Sequence, residues 1–179
     1  MSTLFVNNLN TASGSTITVP TGKTLVGTDS GSLKAPGIVI QQLHQTITQY
    51  TGTSSTSLVA TGFTLTITPK STSSVIKCTV GFNGFFATAQ NTGSRIEMMK
   101  NGSSIAYLDD VTGYGVHNSA PVQGFNPTHV YFDSPSTTSA TTYSISYARN
   151  GGSGNIYFNN YITGNNRTRS WFTVEELAQ

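Results

Sequence analysis

A chain of 179 residues has room for one sizeable core, or for one domain with a short extension. Only 9% of its residues are charged, and nine basic and seven acidic side chains scattered singly leave a net charge of +2, so no basic patch is set to neutralise a phosphate backbone and nucleic acid is not an expected partner. No apolar run approaches the ~20 residues that span a bilayer, and the start, MSTLFVNNLN, lacks both the basic and the long apolar segment of a signal peptide, so membrane insertion is not expected either.

Ser, Thr, Gly and Asn fill 83 of the 179 positions, yet 36% hydrophobic and 10% aromatic residues make the chain too apolar for a disordered coil. Thr, Tyr, Phe, Val and Ile favour strands, and the best helix formers are scarce. The expected fold class is all-β.

Residues 1–37 differ from the rest. Leu9, Ile17, Leu25 and Leu33 recur every eight residues, Gly14 and Gly22 share one position of the octad, and Thr16, Thr24 and Ser32 share another. One apolar and one turn residue per unit predicts a short extended β-ribbon, a stalk of small stacked turns. Four apolar residues on a narrow ribbon form no core alone. They are expected to face an interior shared between chains, with Gly14 and Gly22 at the turns.

Residues 38–179 read as strand after strand. IVIQQLHQTIT opens the domain, and SLVATGFTLTITP follows, alternating Phe63, Leu65 and Ile67 against Thr and stopping at Pro69. SVIKCTVGFNGFFAT is the strongest core strand and places Cys78, the only cysteine, beside Ile76, Val80 and Phe82 as a small buried apolar residue. RIEMMKNGSSIAYL is a hairpin turning at Asn101-Gly102. Leu108 to Pro127 shows no clear alternation and is expected to be a long exposed loop. HVYFD, TYSISYAR, NIYFNNYIT and RSWFTVEEL complete about eight or nine short strands, the pattern of a jelly-roll-like antiparallel β-sandwich.

Candidates for chemistry are few. The sequence holds no nucleophile elbow, P-loop or dinucleotide fingerprint. Asp109-Asp110 and Glu175-Glu176 are adjacent, so on a strand each pair points to opposite faces. His44, His117 and His129 lack metal-ligand spacing, although three copies of His44 on a trimer axis would offer an ion site, and Asp109 and Asp110 in a loop would offer oxygen ligands for Ca²⁺. No catalytic residue, metal or cofactor is expected. In NIYFNNYIT, Tyr157, Asn159 and Tyr161 alternate onto one face, a Tyr/Asn mixture suited to recognition of protein or sugar, or to packing between protomers. Trp171 alternates with Arg169 and Thr173 and is a further candidate for a binding or subunit contact.

The stretch DSPSTTSATTYSISYA (residues 133–148), with GKTLVGTDSGSLKAPGIVIQ, GFTLTITPKSTSSVIKCTV and the ending FTVEELA, resembles a domain of virion fibre and appendage proteins of marine bacteriophages, notably those of cyanobacteria and related hosts. The resemblance spans about residues 20 to 179. It implies a homotrimer with jelly-roll-like heads, attached to other virion proteins through the N-terminal segment. It also implies a place on the particle surface after synthesis in the host cytoplasm. The outer head would meet a host cell-surface glycan or protein. No catalytic residues come with it. Fibres usually carry an N-terminal adaptor domain, and only about 37 residues precede this head. Capsid decoration, or a head-fibre role, is therefore the alternative, and a virion polysaccharide-degrading enzyme is a more distant one.

Overall fold

The computed structural model describes residues 19–27, 35–89, 91–111, 124–159, 161–163 and 166–179. Two turns of one kind mark the approach to the head. Lys23 N–H donates to Pro20 O at 3.0 Å with Gly22 at φ 77°, and Ile38 N–H donates to Ala35 O at 3.1 Å with Gly37 at φ 82°. Both need a left-handed third residue, which glycine adopts without a Cβ penalty.

Strands among the described residues run, in order, β1 Val39–Ile47, β2 Thr51–Thr53, β3 Val59–Ile67, β4 Val75–Gly81, β5 Phe85–Ala87, β6 Gly93–Lys100 and β7 Ser103–Val111. They continue with β8 Gly124–Phe125, β9 Thr128–Asp133, β10 Thr141–Asn150, β11 Ile156–Phe158, β12 Tyr161–Thr163, β13 Asn166–Arg167 and β14 Ser170–Leu177. One sheet has the order β1-β14-β4-β9, and a second has the order β3-β10-β6-β7, with antiparallel neighbours throughout. The chain crosses repeatedly between these sheets, from β1 to β3, back to β4, on to the β6–β7 hairpin, and then through β9, β10 and β14. Eight strands in two interleaved four-stranded sheets are a jelly roll. A smaller sheet, β2-β11-β5-β8, repeats the order of the first, so each strand of the first sheet has a short counterpart beyond a crease.

Period-two alternation sets the core. Ile76, Cys78 and Val80 of β4 and Phe172 and Val174 of β14 face Phe63 and Ile67 of β3, Ile96 and Met98 of β6, and Tyr143, Ile145 and Tyr147 of β10. Aromatic rings fill its centre, with Phe82–Phe158 centroids 5.2 Å apart and Phe63–Phe82 5.9 Å apart, both edge to face. Cys78 is fully buried, and burial together with the Asp133 charge pushes its thiol up to about 12. Asn101 and Gly102, at φ 49° and 84°, make the expected hairpin turn. The expected long loop at Leu108–Pro127 is shorter: β7 carries the hairpin on to Val111, and β8 occupies Gly124–Phe125. A register shift in the β6–β7 pairing interrupts the alternation there and hides the strand.

Both seams of the sandwich are closed by side chains. On one, Gln45 accepts from Thr64 N–H at 2.9 Å and donates to Gly62 O at 3.1 Å, while Gln41 donates to Thr68 O at 2.8 Å. Two inward-facing glutamines of β1 thus satisfy the free edge of β3. On the other, Lys100 of β6 donates to Asp133 of β9 at 3.0 and 3.1 Å, and the Tyr143 hydroxyl donates to the same carboxylate at 2.6 Å.

Candidate functional site

The motifs singled out in the sequence serve as internal latches. Asp133, which opens DSPSTTSATTY, is held by Lys100 and by Tyr143, the tyrosine of the same stretch. Burial and the Asp133 hydrogen bond raise the Tyr143 phenol well above the ordinary range. Glu176 of FTVEELA is fully buried and accepts from Ser74 Oγ at 2.6 Å, Lys70 N–H at 2.7 Å and Gln41 Nε2 at 2.5 Å. It therefore fastens the TITPKSTSS turn to the last strand. Glu175 faces outward instead, paired with Lys77 at 2.8 Å and accepting from Gln42 at 3.0 Å. The adjacent carboxylates point to opposite faces, as expected.

The outer face of the first sheet collects the aromatic candidates. Trp171 pairs across the ladder with Gly81, and a Cβ on Gly81 would lie 2.6 Å from the indole, so the ring lies flat over the glycine. Tyr157 does the same over Gly52, where a Cβ would meet its ring at 1.9 Å. Absence of a side chain on one strand makes the seat for a ring on the next. Tyr50 stacks on Tyr157 with centroids 4.7 Å apart, and Phe86 lies 5.2 Å from Tyr157 on its other neighbouring strand. Burial, and then the charge and hydrogen bond of Tyr157, raise the Tyr50 phenol. Tyr157 also accepts from Asn155 Nδ2 at 2.7 Å. Three rings thus form a shelf beyond the crease. Tyr50 and Phe86 gave no pattern in the sequence, because one lies in a strand-free junction and the other beside an identical neighbour.

Asn159 does not join that face. It is fully buried with φ 61°, which breaks the alternation after Phe158 and turns the side chain inward. Its amide donates to Ile47 O and Gln49 O, both at 2.9 Å, and accepts from Ser170 Oγ at 2.7 Å, while its backbone N–H donates to Asn83 O at 2.8 Å. This residue ties together the crease points of β1 and β14 through its side chain and reaches Asn83, just past β4, through its backbone. Its place in recognition is corrected to a structural one, since no polar atom of the amide is left for a ligand. The side chain of Tyr161 lies outside the described residues.

Of the octad residues, Leu25 is 63% exposed, next to Val26 at 72%. Leu9, Ile17 and Leu33 lie outside the described residues, as does Gly14. Val130 and Phe132 of β9 are large exposed apolar residues that the sequence did not single out, at 50% and 55%. Their strand is inverted: Tyr131 opposes Cys78 and Asp133 opposes Ile76, so the polar half of HVYFD turns inward.

Several ionisable groups among the described residues are engaged within the chain. His44 sits on the outer face with Nδ1 2.9 Å from Thr173 Oγ1 and Nε2 3.0 Å from Thr46 Oγ1. Asp109 faces inward near His129. Burial raises its carboxyl against the opposing pull of His129, and burial lowers His129 against the pull of Asp109. Asp110 faces outward and accepts from Asn150 Nδ2. The two lie in β7 on opposite faces, so they do not form a joint Ca²⁺ loop. No group of three His, Cys, Asp or Glu side chains able to hold a metal occurs among the described residues.

An antiparallel jelly-roll sandwich with a ring-bearing outer face, preceded by exposed apolar residues at Val19, Leu25 and Val26, is the class of protein this geometry defines. No family model matches the chain, and no curated protein matches it.

Proposed function

We propose that this chain is a structural protein of a bacteriophage particle, a homotrimeric fibre or appendage component anchored through residues 1–37, with the jelly-roll head facing outward toward the host surface. The observation that carries this reading is the leader. Residues 19–27 are exposed throughout and present Val19, Leu25 and Val26 without cover from their own head. Exposed apolar side chains in an extended segment gain free energy only from another chain, each leucine contributing roughly 1.5–3 kcal/mol when removed from water. The resemblance of its motifs to marine phage appendages supports the same reading.

Immunogold labelling of purified particles with antibody to the head tests this. Label at the tail or on fibres is the expected result, and particles free of the chain overturn it. Quantitative mass spectrometry separates the two particle roles: few copies fit an appendage, and hundreds would replace that role by capsid decoration. Release of reducing ends from host polysaccharide, abolished by replacing one carboxylate, would instead establish the degrading enzyme.

A further inference from the structure

We propose that the outer face of the first sheet is the surface through which copies of this chain pack on one another, with Val130 and Phe132 on its β9 edge and Trp171 on β14 within the contact. This rests on the homotrimer reading and deepens it by naming the face.

The two outer faces of the sandwich differ. That of the second sheet carries Thr64, Thr66, Ser144 and Ser146, the ionic side chains of Arg95 and Asp110, and one large exposed ring, Tyr107, whose hydroxyl suits it to water. That of the first sheet exposes Val130 and Phe132, on a strand whose His129, Tyr131 and Asp133 are turned into the sandwich. Reversing the strand's polarity in this way is unfavourable in water, and becomes favourable once the outer face is covered.

Charge decides what covers it. Within the strands of that face the charged side chains are Lys77 and Glu175, which pair with each other at 2.8 Å, while the exposed Arg169 lies just before β14, at the end of the face. A face that neutralises its own ions meets a copy of itself without like-charge repulsion and without stranding an unpaired ion. Its strands offer no net charge to steer an ionic partner.

The leader adds continuity. Gly37 N–H donates to Ala178 O at 2.8 Å, and Val39 pairs with Leu177, an outward position of β14. The leader therefore joins the head at the β1 edge of this sheet, the edge opposite β9 in the order β1-β14-β4-β9. Copies packed across the breadth of this face would bring these junctions to the same interface.

The full chain allows a direct test, because Trp171 is its only tryptophan and lies within the proposed contact. Multi-angle light scattering of the wild type is expected to give three chains of 19.0 kDa each. Phe132→Asp and Val130→Asp are expected to reduce the mass to one chain and shift Trp171 emission to the red, with the β-sheet circular dichroism unchanged. Tyr107→Asp, at an exposed position on the other sheet, should alter neither. Should either variant fail to fold, Thr128→Arg, at an exposed position of the same strand, is read in its place. Variants that keep the wild-type mass and emission overturn this face as the interface and leave the homotrimer reading standing. A wild type that is a single chain at all concentrations overturns both.

Discussion

Replacing Asn159 tests whether the crease is held by one side chain. Its amide makes three hydrogen bonds of 2.7–2.9 Å in full burial. Each contributes roughly 1 kcal/mol net, and its loss leaves two carbonyls and the Ser170 hydroxyl without that partner. Its φ of 61° adds a backbone component, since a left-handed residue with a Cβ other than Asn or Asp costs about 1–2 kcal/mol more than glycine. Asn159→Ala should therefore destabilise by about 4 kcal/mol, and Asn159→Gly by about 3 kcal/mol. Asn159→Asp keeps the shape but turns acceptor oxygens toward Ile47 O and Gln49 O, so it should cost at least as much as alanine. Urea unfolding followed by Trp171 emission, at one fixed protein concentration, measures the series. Glycine ranking below alanine, or all three variants lying within about 0.5 kcal/mol of wild type, would refute the assignment.

Glu176→Gln should destabilise by roughly 2–4 kcal/mol, because its one amide oxygen can serve the Ser74 and Lys70 donors, which share Oε1, only by setting its NH2 group against the Gln41 Nε2 donor in a buried site, whereas Glu175→Gln, at the partly exposed pair with Lys77, should cost under about 1 kcal/mol. Equal urea midpoints for the two would show that the buried carboxylate is not a latch. Alkaline solution should weaken the fold, since Cys78 and Tyr147 are each pushed up to about 12 from ordinary values of 9.0 and 10.0. The unfolded chain releases these protons first, so the stabilisation is complete below about pH 9 and is lost as pH rises toward 12. Comparing urea midpoints at about pH 8 and about pH 10.5 checks this, and Cys78→Ala should flatten the decline, the thiol accounting for about 4 kcal/mol at its full extent.

Strands whose two faces differ plainly in polarity could be read from the residues. Phe63, Leu65 and Ile67 against Thr, or Ile76, Cys78 and Val80 against Lys77 and Thr79, leave one choice of inner face. HVYFD was legible as a strand but not as an inverted one, because alternation gives two faces and only the partners of His129, Tyr131 and Asp133 decide which is inward. Residues around the crease failed for a different reason. Asn159 interrupts the period with a left-handed backbone, and its partners Ile47, Gln49 and Ser170 are brought together only by the bend of three strands. Gly52 and Gly81 read as weak strand positions, while in the sheet each is the seat of a ring on its neighbour. The turn glycines were the opposite case: Gly22 and Gly102 announce their positive φ locally and need no tertiary information.

Scarcity of charge ties these features together. With seven acidic residues in the whole chain, those used as latches leave few for either outer face. Asp133 and Glu176 are directed inward to hold loops, and Glu175 is spent on Lys77. What remains outside is Ser, Thr and Gln, which hydrate a β surface without a long-range field, together with a few rings and aliphatic groups. On such a surface the ions beside an uncovered Phe132 are the Lys77–Glu175 pair, which neutralise each other, so contact with another chain would be governed by apolar area and shape. The proposed packing between copies of this chain should then strengthen with added salt or be indifferent to it, the opposite of an association driven by charge.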